Sequence, residues 1–307
     1  MESIKVFSPG SITNLSCGYD ILGLCLENRG DVIEIFKQKS KSIVIESIDG
    51  FNLPLDIEKN VAGIAAKAML KNIELDFGFK IRIKKGIKPG SGIGSSAASS
   101  AGTVYGINQL LNSHFNDLDL IKFSMEGENY VSGSYHADNV APIILGGITL
   151  VRSLKYLDVI KLPTPKNLEV VIIRPNIEIK TSDSRKVVRK KVNIGTMVEQ
   201  SANLGAFVSS LYNEDYELMS RSVVDKIVEP DRSILIPEFD SIKKISLDSG
   251  AVSSGISGSG PSIFALSNNN NISLNILKNI NNHYEKVNIQ YDSFISKINP
   301  SGIKILD

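Results

Sequence analysis

Two hydrophobic rhythms divide this 307-residue chain. Runs that alternate apolar and polar residues read as half-buried strands: 31–37 (DVIEIFK), 42–46 (SIVIE) and 79–84 (FKIRIK); 4–7, 146–151, 168–174 and 262–266 also read as strands. Stretches with a period near 3.6 read as helices. The first covers 60–71, where Val61, Ile64, Ala65, Ala68 and Met69 share a face and Asn60 stands ready to cap. Others run from Ser95 to about Leu111, over 117–132, from Thr181 to about Tyr212, and over 216–224, 239–248 and 272–283. Ser8-Pro9-Gly10 marks a turn, and the polar residues Asn14, Ser16, Gly18 and Asp20 read as a loop with Asx turns. Asn268–Asn271 reads as a low-complexity turn, and the tail as one or two short strands.

Strands and helices are mixed without strict β-α-β alternation, which predicts an α+β fold rather than a doubly wound sheet. A segment rich in Pro and Lys between the strands at 146–151 and 168–174 is the natural boundary, giving units 1–157 and 158–307. A chain of this size buries roughly three quarters of its unfolded surface, so it needs no covalent staple. Cys17 and Cys25 are too few for a disulfide framework and lack metal-site spacing. With 34 Lys+Arg against 33 Asp+Glu, nothing points to nucleic acid or an anionic membrane. The start, MESIKVFSPG, has neither a secretory nor an Arg-rich transit pattern, and no apolar run reaches membrane-spanning length. The expectation is a cytoplasmic protein without nucleic-acid or membrane partners.

The chemistry concentrates at Lys88–Ala98, KPGSGIGSSAA. Gly90, Gly92 and Gly94 alternate with Ser91 and Ile93, so this bend lacks β-carbons and its backbone can approach a ligand closely. Ser95, Ser96, Ala97 and Ala98 then open a helix whose first turn offers unpaired N–H groups and a partial positive charge, a ready site for phosphate. Two common phosphate motifs are excluded: no lysine follows a glycine at P-loop spacing, and Ser95 stands where the dinucleotide fingerprint needs its third glycine. A second glycine cluster, from Gly250 to Pro261, reads in isolation as a hairpin or bulge.

The first glycine stretch resembles the ATP loop of the GHMP kinases, Pro-x-x-x-Gly-Leu-Gly-Ser-Ser-Ala, with Ile93 in the Leu place, Pro89 one position late and Lys88 in the usual proline slot. The second cluster resembles that family's third motif. Around Asn14, Leu15, Gly18, Asp20 and Gly23 the chain is similar to the homoserine-kinase branch, with Tyr19 for a Phe; Pro9-Gly10-Ser11 departs from the Pro-Gly-Lys of the mevalonate branches. His136, Asp138, Asn139 and Pro142 match His-x-Asp-Asn-x-x-Pro, and Glu128 lies eight residues before that histidine, unlike Glu126. Arg185 and Arg232 fall in Thr-x-x-x-Arg and Glu-Pro-x-Arg-x-x-Leu-Ile-Pro patterns of the same branch.

The resemblance implies an N-terminal domain of the ribosomal-S5-domain-2 type, a ferredoxin-like C-terminal domain, and ATP in the cleft between them. It implies that residues 88–98 hold the nucleotide and that Ser96 and Glu128 hold Mg²⁺. The implied acceptor is L-homoserine. Its carboxylate would meet Arg185 and Arg232, its ammonium Asp20 and Asn14, its hydroxyl Asn139, with His136, Thr181 and Gly258 completing the site. Asn139, Arg185 and His136 would stand at the chemistry. Asn139 and Ser11 occupy the places where several relatives carry an aspartate base and its lysine. An amide cannot take a proton, so phosphate oxygen is the expected proton acceptor, with Asp138 or His136 the alternative. A homodimer is implied by the family alone. The competing readings are another GHMP kinase acting on mevalonate or a sugar, and a non-catalytic nucleotide-binding protein of the same fold.

Overall fold

The computed structural model describes residues 1–306. Its first half is built on β1 (Ser3–Asn14), β2 (Gly18–Gln38), β3 (Ile43–Asp49), helix α1 (Val61–Leu70), β4 (Gly78–Lys84), α2 (Ser95–Leu110), α3 (Asp117–Ser132), α4 (Val140–Leu145), β5 (Ile148–Ser153) and β6 (Asp158–Leu162). The second half adds β7 (Glu169–Pro175), α5 (Thr181–Lys186), α6 (Ile194–Asn213), α7 (Tyr216–Ser222), α8 (Glu229–Arg232), α9 (Phe239–Asp248), β8 (Ser253–Ile256), β9 (Ile263–Ser267), α10 (Asn270–Val287), β10 (Tyr291–Lys297) and β11 (Lys304–Leu306). Among the described residues no helix is long and apolar enough to cross a membrane.

One sheet runs β11-β1-β2-β4-β3, with β5 and β6 attached beside the first part of β2. All its pairs are antiparallel except β3 with β4. The second sheet, β10-β7-β9-β8, is antiparallel throughout. This is the two-sheet α+β architecture expected from the sequence.

Alternation along the second sheet explains how the halves unite. In β7, Val170 and Ile172 join the large core that also holds Val6, Ile33, Phe79 and Val104, whereas Val171 and Ile173 face a smaller core with Ile242, Ile276 and Ile280 of α9 and α10. In β9, Phe264 and Leu266 take the first side and Ile263 and Ala265 the second. Successive strand residues point to opposite faces. One face of the C-terminal sheet therefore completes a core begun by the N-terminal half.

Several elements differ from the sequence reading. The turn expected at Ser8-Pro9-Gly10 is the middle of β1, which carries a register shift between Pro9 and Ser11. Proline lacks an N–H, and a bulge is where a strand tolerates that loss; the Ser11 N–H leaves the ladder and bonds Ile93 O at 3.2 Å. The strand expected at 31–37 is the second part of the 21-residue β2, whose first part pairs with β5 and whose second part pairs with β4. The 181–212 helix is broken between Lys186 and Ile194, where three valines, three cationic residues and the capping Asn193 interrupt it. Helix α4 has no counterpart among the elements expected from sequence. The expected boundary at 157/158 falls inside the β5–β6 hairpin: 158–162 pairs with β5, and 304–306 returns to β1. Pro and Lys there mark an exposed edge strand and the chain after it.

Phe264 is fully buried on the face shared by the two halves. Phe264→Ala is expected to cost about 3–5 kcal/mol, with both halves still unfolding in one transition. Denaturant melts followed by far-UV CD and by intrinsic fluorescence check this; two separated transitions would contradict a shared core.

Candidate active site

Strand β4 ends at Lys84 and feeds the bend that opens α2 at Ser95. Gly90, Gly92 and Gly94 all have positive φ, between 67° and 79°. For two of them glycine is also a steric necessity. A Cβ on Gly94 would lie 2.3 Å from Ser11 Oγ, and one on Gly92 would lie 2.6 Å from Gly260 O.

The bend is turned outward in its hydrogen bonding. Ser262 Oγ donates to Ser91 O at 2.6 Å, Ser257 Oγ to Gly92 O at 2.7 Å and Ser11 N to Ile93 O at 3.2 Å. Ala98 N donates to Gly94 O at 2.9 Å and Lys85 Nζ to Ser95 O at 2.8 Å. Every carbonyl from Ser91 to Ser95 is thus engaged by the protein. Among the described residues, no protein acceptor takes the N–H groups of Gly90 through Ala97. The second glycine cluster supplies two of the serines that produce this arrangement, so it buttresses the first from the C-terminal half.

These residues form one wall of a cleft of about 370 Å³. The cleft gathers Asn14, Asp20, Pro89, Gly90, Ser91, Gly92, Gly94, Ser95, Ser96, Glu128, His136, Asn139, Thr181, Arg185, Arg232 and Gly258 of the residues expected from sequence. Four others lie outside it. Lys88 Nζ reaches Asn176 Oδ1 at 3.0 Å, Ile93 is buried, and Ala97 and Ala98 are core residues that pack α2 against its neighbours. The lining residues that escaped the sequence reading include Thr13, Lys85, Glu178 and Lys180.

On the α3 side, Glu128 is buried, and its Oε1 finds no hydrogen-bond donor. Burial raises its pKa, against the opposing pull of His136 and the Ser96 hydroxyl. His136 Nδ1 lies 2.9 Å from Asp138 Oδ1, and its Nε2 lies 3.2 Å from Ser132 Oγ. Burial pulls the imidazole pKa down, but the Asp138 hydrogen bond and the Asp138 and Glu128 charges outweigh it and lift the value to about 9. Asp138 is buried too; its hydrogen bond and ion pair with His136 overcome desolvation and lower its pKa. Ser11 Oγ donates to Asn139 Oδ1 at 2.8 Å, which leaves the amide nitrogen as the donor end.

On the opposite side, Asn14, Leu15 and Ser16 form a run of left-handed residues, with Asp20 a fourth nearby. Such non-glycine conformations cost about 1–2 kcal/mol each. Asn14 holds the strained loop by accepting from Asp20 N at 3.0 Å and donating to Gly258 O at 2.9 Å. Arg185 grips Asp20 with two parallel bonds, both 2.9 Å. Arg232 is buried, and its donors meet Ser184 O at 3.2 Å, Gly258 O at 2.9 Å and the Tyr19 hydroxyl at 3.5 Å. Tyr19 also accepts from Arg185 at 3.2 Å and lies beneath both guanidinium groups. Among the described residues Arg232 has no carboxylate partner. The Arg185–Asp20 pair joins two residues that the resemblance assigns to opposite charges of the acceptor.

A row of free amides, a buried carboxylate with an open oxygen and two arginines share a single cleft, which is the constellation of a small-molecule kinase. Residues 59–147 match the model of the GHMP kinases N terminal domain, and residues 207–286 that of the GHMP kinases C terminal domain. The chain belongs to the GHMP kinase family. Curated homoserine kinases match it over the whole length: that of Chloroherpeton thalassium is 38% identical, each chain covered in full. The crystal structure of homoserine kinase from Cytophaga hutchinsonii superposes with a TM-score of 0.95 at 44% identity, over 100% of this chain and 98% of that one. Lactococcus lactis galactokinase, 16% identical with a TM-score of 0.74 over 99% and 95% of the two chains, shares the fold. Family membership makes the chain an ATP-dependent small-molecule kinase.

The His136 environment gives a pH signature. Its folded pKa of about 9 lies above the ordinary 6.5, so the stability it contributes is complete below pH 6.5 and lost as pH rises through about 9. The span corresponds to a contribution on the order of 3 kcal/mol. Melting curves across pH 6–10 are expected to show this decline in the wild-type protein and a flatter profile in His136→Gln. Equal slopes would contradict it.

Proposed function

We propose that the chain transfers the γ-phosphoryl group of ATP to the hydroxyl of L-homoserine, giving O-phospho-L-homoserine and ADP, the committed step toward threonine from that alcohol. The observation that carries this reading is the pairing of cations and anions on the acceptor side of the cleft. Arg185 is neutralised by Asp20, while Arg232 is held by carbonyls and a phenol and keeps its charge for a ligand. A zwitterion fits such a pair of subsites. Its carboxylate meets Arg232, with Arg185 beside it, and its ammonium meets Asp20 and the Asn14 amide oxygen. Mevalonate has a carboxylate but no ammonium to match Asp20, and galactose has neither. Thr181 and Gly258 line the same side.

On the nucleotide side, the amides of residues 90–97 receive the phosphate oxygens, aided by the positive end of α2. Glu128 and Ser96 fit Mg²⁺. The carboxylate is buried with one oxygen unclaimed, and this hard cation takes one or two protein oxygens together with phosphate and water. When bound, the ion neutralises charge on the transferring group.

Phosphoryl transfer needs alignment and charge neutralisation more than covalent help. The acceptor hydroxyl oxygen bonds to the γ-phosphorus as the bond to the β,γ-bridging oxygen breaks, and the hydroxyl proton passes to a γ-phosphate oxygen. Asn139, its carbonyl already occupied by Ser11, orients the hydroxyl through its N–H₂. Asp138 is ion-paired and its pKa is lowered, which makes it a poor base and a good anchor for His136. A cytoplasmic location and a homodimeric state are proposed with this activity on the strength of the family alone.

Coupled ADP release with homoserine, mevalonate and galactose tests the acceptor directly. Turnover with homoserine alone is expected; turnover with another acceptor, or nucleotide binding without turnover on any, would overturn the reading. Arg232→Leu is expected to raise the homoserine KM on the order of 100-fold and to leave the ATP KM nearly unchanged. Equal losses for both substrates would place Arg232 elsewhere in the mechanism. Asp138→Asn is expected to lower kcat by less than about tenfold, since a general base is worth about 10²–10⁴-fold. A larger loss in a folded variant with unchanged binding would make Asp138 the base.

A further inference from the structure

Alternation along β2 and β4 points every second side chain inward. Ile33 and Ile35 on one strand, and Phe79, Ile81 and Ile83 on the other, are buried accordingly. The next inward positions, Asp31 in β2 and Lys85 just past the end of β4, carry charges. The register pairs Ile33 with Ile83 and Val32 with Lys84, so the following step brings Asp31 opposite Lys85. Asp31 is 0% exposed and Lys85 7%.

The two make more than an ion pair. Asp31 Oδ1 accepts from the N–H groups of Gly86 at 3.1 Å and Ile87 at 3.3 Å. Asp31 Oδ2 accepts from Lys85 Nζ and from Ser99 Oγ, the latter at 2.8 Å. Lys85 Nζ also donates to Ser95 O at 2.8 Å and Ser99 Oγ at 2.9 Å, and Ser95 Oγ donates to Ile87 O at 2.9 Å. These bonds join residues 85–87, where the chain enters the glycine bend, to residues 95–99, where it leaves. A buried ion pair is a weak source of stability, because desolvation offsets most of the attraction. Its placement across the two ends of the bend gives it a different use.

We propose that Asp31 is a positioning residue for the nucleotide: its buried carboxylate, with Lys85 and Ser99, clamps both ends of the glycine bend and so holds the amide row of residues 90–97 in its binding geometry before ATP arrives. A bend held in place in advance loses less freedom when phosphate binds. Asp31 touches neither substrate and acts through the bend. The proposal concerns the nucleotide side and stands apart from the identity of the acceptor: a wild-type protein that binds nucleotide but ignores homoserine would end the homoserine reading and leave this one to be tested.

Calorimetric titration of the full chain with a non-hydrolysable ATP analogue and Mg²⁺, together with KM for each substrate, tests it. Asp31→Asn is expected to weaken analogue binding about tenfold, with the acceptor KM within about twofold of wild type. Because the residues act as one network, the Asp31→Asn, Lys85→Met double variant is expected to lose little more than the weaker-binding of its two parents. Unchanged analogue affinity in a folded Asp31→Asn protein would overturn the proposal. So would a parallel rise in both KM values, or single losses that multiply in the double variant. Should Asp31→Asn fail to fold, Ser99→Ala removes the two bonds of that hydroxyl, to Asp31 and from Lys85, and keeps the ion pair. A two- to fourfold weakening is then the expected result, and no change would leave Asp31 a folding residue only.

Discussion

The site depends on a segregation of backbone polarity. Between Ser91 and Ser95 every carbonyl is bonded inward, while the neighbouring amides keep their donors free. Backbone donors and acceptors come in equal number and cannot be removed by side-chain choice. A protein that presents only donors to an anion must therefore find partners for the acceptors elsewhere. Here those partners are two serine hydroxyls from the C-terminal half, one amide from β1, one from the next turn of α2 and a buried lysine. Positive φ at the three glycines makes the necessary peptide orientations accessible.

This requirement ties the two halves together chemically as well as through the core. Ser257 and Ser262 reach the bend because β8 and β9 turn back beneath it, and Gly258 O between them anchors both Asn14 and Arg232. The same short segment thus organises the nucleotide and acceptor sides. Strain in the Asn14–Ser16 run is held by these contacts, which is where a folded structure can store it. The outcome is one cleft in which amides, a carboxylate with an open oxygen and an uncompensated guanidinium converge.

Much of this was legible in the sequence because it is local. Asn60 caps α1, the glycine bend opens α2, and α3 and α9 follow their apolar spacing to the residue. Motif spacing named most of the residues that line the cleft. What was not legible required partners distant in sequence. Nothing at Pro9-Gly10 announces that β1 continues through a bulge, because the ladder there is set by Gly30 and Cys25 across the sheet. The Arg185–Asp20 pair joins positions 165 residues apart. Ala97 and Ala98 belong to the phosphate motif by position yet their side chains serve the core, on the face of α2 away from the cleft that Ser95, Ser96 and Ser99 line. One signal was present and unused. A lysine and an aspartate at inward positions of two apolar strands are costly unless they meet, and the strand register makes them meet.

The central claim is that the amides of residues 90–97 are the phosphate ligands. Amide hydrogen exchange, resolved to single residues in the bend, tests it most directly when compared with and without a non-hydrolysable ATP analogue and Mg²⁺. These amides are expected to exchange freely in the unliganded protein and to become strongly protected on binding, while those of α10 do not change. Saturated binding with no new protection between Gly90 and Ala97 would contradict the account.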